Sequence, residues 1–533
     1  MRFNMDMDYN IKTPGIPLRM GIEPDLYWSP ISVGIVGLIT TFLSLLVYLS
    51  YTPRVHENSP EFTSDTLPFV GSWDFFNRKW SFWKGVSSLA ARKAYLESQY
   101  LDFLHGNVTL LGLGPDYKLP LHDVFKPTFH NGRSYFQRRL VELTKTDQLA
   151  RRLPRVSSDA FTAMKRLSES PSGVTNPFTY CYPIILSMSC RIVFTDEVSD
   201  TPQLFERCLG YSSILQATSS RHNVVFPWLP SIALMKRQYG RYGLKSLVVP
   251  IIDKRTKKGA PRADDPLQVL LDNGDSKEYT TNFFISILFI AVANAGVLAG
   301  VLLNIVAHRT DWQERIYNEI KVAAAAHSQN DGPLVEQLAS IPLEAWESSF
   351  PSIDLCFKEA IRMNTAFPMF RQNIGSTPIP IPGTNEVIPP PGSFASYNTT
   401  DVHYDEDLYP NPFKFDPDRF QEGRKEFEKQ SYSFLGWGHG KHPCLGMRWA
   451  KLQQNIILVY ALAMYQWSGC NADGPSIPPL EPNINLDAAA PGLPQGIYCK
   501  VVQHTKTGTP EARDCNAVWL LLLRWSRFPV QQT

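Results

Sequence analysis

What this chain lacks narrows it first. None of its eight cysteines forms a Cys-x-x-Cys pair, and their spacing has no pairing rhythm. A structural zinc site needs three or four clustered ligands, and a disulfide scaffold needs paired cysteines. Both are set aside, and a reducing compartment fits. There is no excess of charge of either sign, since 52 Lys and Arg against 50 Asp and Glu leave +2. Such a balance carries no footprint for nucleic acid. Two long stretches, 31–51 and 283–307, have no charge at all. A hydrophobic content of 44% and an aromatic content of 12% suit a sizeable core in this 533-residue chain, although length alone would allow several domains.

The first uncharged stretch holds 21 residues, which at helical rise cover roughly 30 Å, enough to cross a bilayer. Tyr27, Trp28, Tyr48 and Tyr51 stand at its ends, where interfacial aromatics belong. A cleaved signal peptide would start earlier and carry a shorter apolar core. The pattern predicts a single transmembrane helix over 31–51, after a flank at 1–30 and before a polar linker at 52–66. The second stretch is also long enough to span, and Gly296 and Gly300 form a GxxxG pair of the kind that packs helices closely in lipid. A helix apolar on every side is equally what burial in a large core requires.

One cysteine stands in an informative setting. Trp437-Gly438-His439-Gly440-Lys441-His442-Pro443-Cys444-Leu445-Gly446 runs straight into an amphipathic segment beginning Met447-Arg448-Trp449-Ala450. Glycines at 436, 438 and 440 let the backbone fold closely over something flat, and Gly446 clears space beside the sulfur. A cysteine at a helix N-terminus is biased toward thiolate, with Lys441, His442 and Arg448 as nearby cations. The bland reading is a small buried hydrophobe in a loop. A thiolate held this way is the kind of axial ligand that pushes electron density onto a heme iron. The loop resembles the heme-binding loop of the cytochrome P450 superfamily. Trp437 falls in its aromatic slot, Gly438, Gly440 and Gly446 in the glycine-rich frame, and His442 in the cationic slot.

Two further motifs follow the same order. Glu359 and Arg362 lie three apart in Ile353–Arg362, a segment of helical apolar spacing, so they share a face and can pair. Alone, that is a common surface pair. Phe415-Asp416-Pro417-Asp418-Arg419-Phe420 resembles the family's FxPxRF signature. The resemblance implies that Glu359, Arg362 and Arg419 form a network behind the heme that braces the cysteine loop. Arg371 resembles the strand arginine that binds a heme propionate through a charge-assisted bond; the alternative is an arginine on an exposed strand edge. The helix residue for the second propionate is not visible, and Lys126, His130 and Arg133 stand in its region without one being preferred.

The resemblance implies a mainly α fold with small β-sheets, the cytochrome P450 fold, over 67–503, with heme b ligated by Cys444. The second uncharged stretch becomes the long central helix above the heme, because a second span would part segments that this fold needs together. Ala291, Asn294, Ala295, Gly296 and Ala299 are the expected pocket residues. That helix lacks the family's usual acid–threonine pair. Either Ala299 stands in the threonine slot, or Asn294 does, as in the prostacyclin-synthase and bile-acid-hydroxylase branch. The implied function is monooxygenation of an apolar small molecule (sterol, terpenoid, polyketide or other secondary metabolite). NADPH–cytochrome P450 reductase would supply electrons, with cytochrome b5 as a further donor, and Lys441, Arg448 and Lys451 could offer it a basic face. The implied location is the endoplasmic reticulum membrane, single-pass, with a cytosolic catalytic domain. A heme-thiolate isomerase or dehydratase, and a non-catalytic heme or lipid-binding protein, are the alternatives. The extension at 504–533 has no assigned role and is expected to be poorly ordered.

Overall fold

The computed structural model describes residues 30–50, 66–67, 71–72, 88–102, 134–217, 231–328, 332–365, 368–388, 392–474 and 496–504. Most of the 52–66 linker, the candidates Lys126, His130 and Arg133, and the extension beyond residue 504 lie outside these residues. The chain divides into two units, residues 1–54 with 66–71, and residues 55–65 with 72–533.

The first unit is built on α1 (Pro30–Ser50). Pro30 opens it, where a missing N–H costs nothing. No part of its apolar window is buried. The Thr40 and Thr41 hydroxyls donate to the Val36 and Gly37 carbonyls at 2.8 Å each, so the helix itself satisfies both polar groups. A helix with apolar surface on all sides and internally satisfied hydroxyls is suited to hydrocarbon.

In the second unit, α2 (Leu89–Glu97) is capped by the Ser88 hydroxyl and leads to β1 (Leu101–Asp102). Next come α3 (Tyr135–Leu143), opened by a Ser134/Gln137 capping box, α4 (Thr146–Lys165), β2 (Val174–Thr175) and α5 (Pro177–Val193). Helices α6 (Pro202–Ala217) and α7 (Ile232–Arg255) pack against each other before α8 (Lys277–Ala307). Then follow α9 (Thr310–His327), α10 (Leu343–Ser348), α11 (Pro351–Asn364), β3 (Pro368–Asn373), β4 (Phe394–Asn398), α12 (Met447–Met464), β5 (Tyr465–Cys470) and β6 (Tyr498–Gln503). Two three-stranded sheets serve as flanks, β1–β3–β4 and β2–β6–β5, all neighbours antiparallel. The architecture is mainly α with small sheets, as the sequence led one to expect.

Helix α8 runs through the core, and most of its apolar window is buried, so the second uncharged stretch is a core helix. Its GxxxG pair packs helices closely, but within this chain. A Cβ on Gly296 would come 2.8 Å from the Tyr182 ring, and one on Gly300 2.7 Å from Phe178 Cα, both on α5. On another side α8 meets α12, where Gln454 Nε2 donates to the Ala295 carbonyl at 3.2 Å. Residues 452–464 of α12 are buried without a break.

Candidate active site

Cys444 sits just ahead of α12, whose N-cap is Gly446. A glycine cap has no side-chain oxygen, so first-turn N–H groups of the helix remain available. The N–H groups of Gly446 and Met447 point at the sulfur and lower the thiol pKa, while burial, the larger effect, raises it above its ordinary value. Cys444 nevertheless keeps accessible surface, whereas Cys181, Cys190, Cys208, Cys356, Cys470 and Cys499 are buried. Accessible area governs whether a ligand can reach sulfur, so Cys444 alone of these seven thiols is open.

Two of the three cations expected to activate that sulfur are occupied elsewhere. Arg448 is held bidentately by Glu347 at 2.6 and 2.9 Å and donates to the Thr146 hydroxyl at 2.9 Å. His442 donates from Nε2 to the Leu101 carbonyl at 3.0 Å, and burial lowers its pKa. The Gly446 and Met447 N–H groups favour the thiolate form, against the larger effect of burial. The basic docking face is likewise reduced, because Lys451 pairs with Asp354 at 2.5 Å, leaving Lys441 without a carboxylate partner among the described residues.

The loop's shape depends on its glycines. Gly438 and Gly440 have φ of +66° and +65°, and a Cβ on Gly438 would lie 2.6 Å from the His442 carbonyl oxygen. A side chain at Gly440 would run into the Leu96 carbonyl at the end of α2. Cys444 N–H donates to the Trp437 carbonyl at 2.7 Å, closing the loop. Trp437 packs edge-on against Phe357 of α11, with centroids 5.5 Å apart.

Beneath the loop, Glu359, Arg362 and Arg419 meet in a fully buried network. Arg362 grips Glu359 bidentately at 2.7 and 2.8 Å, and Arg419 Nε reaches the same carboxylate at 3.2 Å. Remaining donors go to the carbonyls of His403, Pro412, Pro410, Asn411 and Lys414. Sequence reading missed two members. Glu426 takes Arg419 Nη1 at 2.9 Å, giving two buried carboxylates for two buried guanidiniums. His403 links the network to the loop: its carbonyl accepts from Arg362, and its Nε2 accepts the Leu435 N–H at 2.9 Å. Neither belongs to a motif of its own, so only the partners' positions could have shown them.

Arg371, on β3 opposite Ala395, is 1% exposed, which removes the exposed-edge alternative. Its Nη1 donates to the Tyr95 and Leu96 carbonyls at 2.6 and 3.1 Å, while its buried Nε has no hydrogen-bond partner. No carboxylate pairs with it among the described residues, and burial lowers its pKa.

On α8 the expected pocket residues part company. Ile290 and Asn294 are exposed, and Ala293, Val297 and Leu298 are half-buried. At helical spacing these share one side, so the open side of α8 is an apolar stripe with Asn294 as its polar member. Ala291 flanks it, half-buried. Gly296 faces α5, Ala299 is wholly buried, and the Ala295 carbonyl is spent on Gln454, so these three pack into the core. An alignment with Ala299 in the threonine slot would put that slot inside the core; the Asn294 alignment puts it on the open side.

An accessible sulfur facing helix-terminal N–H groups, a glycine-rich loop, an apolar helix stripe and a buried, anion-deficient arginine together fit an iron porphyrin with carboxylate arms. Comparisons with known proteins agree. The Cytochrome P450 family model matches residues 119–488. A cytochrome P450 monooxygenase of Aspergillus aculeatus, AacuE, is 53% identical over 88% of this chain and 98% of its own length. The cytochrome P450 monooxygenase nsrP of Aspergillus novofumigatus is 44% identical over 90% and 97%. The solved structure of retinoic acid-bound cyanobacterial CYP120A1 superposes with a TM-score of 0.57 at 18% identity, covering 78% of this chain and 88% of that one, and shares the fold. With family model, full-length relatives and fold in agreement, the chain belongs to the cytochrome P450 family.

Proposed function

We propose that this P450 monooxygenase is a heme-thiolate enzyme in which Cys444 would hold the heme iron and whose substrate is an apolar small molecule of fungal secondary metabolism. When bound, the heme supplies the activation of dioxygen and the oxygen transfer. The chain's own residues hold and tune it. The N–H groups of Gly446 and Met447 stabilise charge on the Cys444 sulfur, and the Glu359–Arg362–Arg419 network fixes the loop that carries it. Arg371 offers its unspent donors, Nε and Nη2, to a heme carboxylate. Trp437, Gly438 and Gly440 keep the loop flat enough for close approach, and His442 ties the loop to the Leu101 carbonyl.

The α8 stripe forms the apolar wall against which substrate would lie, with Asn294 placed to orient a substrate oxygen or a water. With no acid or threonine on this stripe, the Asn294 amide is the group on it that would hold a proton-carrying water. NADPH–cytochrome P450 reductase is the proposed electron source and the endoplasmic reticulum the proposed location, with α1 as the single anchor. The names of the relatives favour monooxygenation over electron-free rearrangement.

The observation that carries this reading is Cys444 itself, accessible and faced by two backbone N–H groups. Its test is the reduced, carbon monoxide-bound spectrum of the purified protein beside Cys444→His. A thiolate-type Soret band in the native protein, replaced by a histidine-type band in the variant, is expected. The same band in both proteins would place the ligand elsewhere.

A further inference from the structure

Helix α2 lies far from every motif in sequence, yet its last turn touches both halves of the cofactor machinery. The final carbonyls of a helix have no partner within it, and they form the negative end of its dipole. Here two of them are used on a cation, as the Tyr95 and Leu96 oxygens accept from Arg371 Nη1 at 2.6 and 3.1 Å. Leu96 oxygen also accepts the Lys441 N–H of the cysteine loop at 3.3 Å, and its closeness is what denies Gly440 a side chain. The strand arginine and the cysteine loop are thus referenced to one carbonyl.

Tyr95 holds that arrangement from three directions. Its ring lies 4.6 Å from Arg371 Cζ, within reach of a cation–π contact. Its hydroxyl donates to the Met369 carbonyl at 2.6 Å, two residues before Arg371 on the same strand. Its own carbonyl makes the shorter of the two bonds to the guanidinium. With Nη1 anchored and the guanidinium set against the ring, Nε and Nη2 are the donors left for an incoming anion.

We propose that Tyr95 is a positioning residue for heme carboxylate binding: its ring, hydroxyl and backbone carbonyl fix the Arg371 guanidinium relative to the cysteine loop. This rests on the reading of Arg371 as a propionate anchor. The bland alternative is that Tyr95 is one more aromatic of the small cluster it shares with Leu101, Met369 and Tyr397. The two differ in what they should do to a heme without free carboxylates.

The test is the rate of heme transfer from holoenzyme to excess apomyoglobin, followed by absorbance, with native heme and with heme dimethyl ester. Tyr95→Leu should release native heme on the order of tenfold faster, release the ester at the wild-type rate, and keep the thiolate-type Soret band. Tyr95→Phe keeps the ring and the fold while losing one hydrogen bond, and should show the same selectivity at about threefold. Equal acceleration for both hemes, or none for either, would overturn the proposal and leave Tyr95 a core residue. Arg371→Leu separates the underlying reading. If wild type and Arg371→Leu release native heme alike, the propionate role of Arg371 fails; if Arg371→Leu is fast and both Tyr95 variants are slow, only the Tyr95 proposal fails.

Discussion

Glu359 accepts from Arg362 twice, from Arg419 and from the Asp416 N–H, all out of contact with water. Neutralising it leaves two guanidiniums facing one remaining carboxylate, Glu426, and an uncompensated buried charge costs about 3–5 kcal/mol. Glu359→Gln is therefore expected to lower the thermal midpoint sharply and to yield mostly heme-free protein, read by calorimetry and heme content. His403 gives a pH signature. Burial first, then the adjacent Arg362, lowers its pKa from 6.5 to about 3. The unfolded chain binds a proton between those values and the folded one does not. Its contribution to stability is thus complete above about 6.5 and is lost progressively as pH falls toward 3. The slope approaches about 1.4 kcal/mol per pH unit within the window. Urea unfolding of wild type and His403→Gln at several pH values between 4 and 7 should show a shallower dependence in the variant. The three motif residues of this network were legible because their spacing is local or fixed by a signature. Glu426 and His403 were not, because nothing in their own neighbourhoods distinguishes them.

Helix α8 shows what happens when an element has no periodicity to read. It is apolar on all sides, so its sequence predicts a buried helix and says nothing of which side faces what. The structure assigns one side to α5 through Gly296 and Gly300, another to α12 through the Ala295 carbonyl, and leaves the stripe of Ile290, Asn294 and Leu298 open. Substitutions should follow those assignments. Gly300→Ala sets a methyl against the Phe178 backbone, which cannot swing aside, and overpacking of this kind costs about 1–3 kcal/mol. Gly296→Ala meets a ring edge of Tyr182 that can shift, and alanine's better helix propensity offsets part of the cost. Gly300→Ala is expected to lower the melting temperature more than Gly296→Ala; the reverse order would contradict the seam. Gly37 of α1, where an added methyl would meet nothing within 4 Å, should tolerate alanine in stability and location alike.

For the whole molecule, separation into two units makes a direct prediction. Removing residues 1–51 takes away α1 and no described residue of the second unit. The truncated protein should move from the membrane pellet toward the supernatant in fractionation while keeping the thiolate-type spectrum; loss of that spectrum would show that the second unit needs the first. The sequence by itself determined the uncharged N-terminal helix, the helical class, the candidate ligand cysteine and the order of the motifs. Each depends on something local: an uninterrupted apolar length, a backbone that only glycine adopts, or a spacing along one helix. Tertiary structure alone decided the rest. It paired Arg448 and Lys451 with Glu347 and Asp354, so that the expected basic face is mostly neutralised. It turned Ala295, Gly296 and Ala299 into the core and Asn294 outward, and it brought Tyr95 to Arg371 across 276 residues. Such contacts depend on which surfaces meet after the helices pack, and a chain of mostly apolar helices fixes that only when all of them bury their faces together.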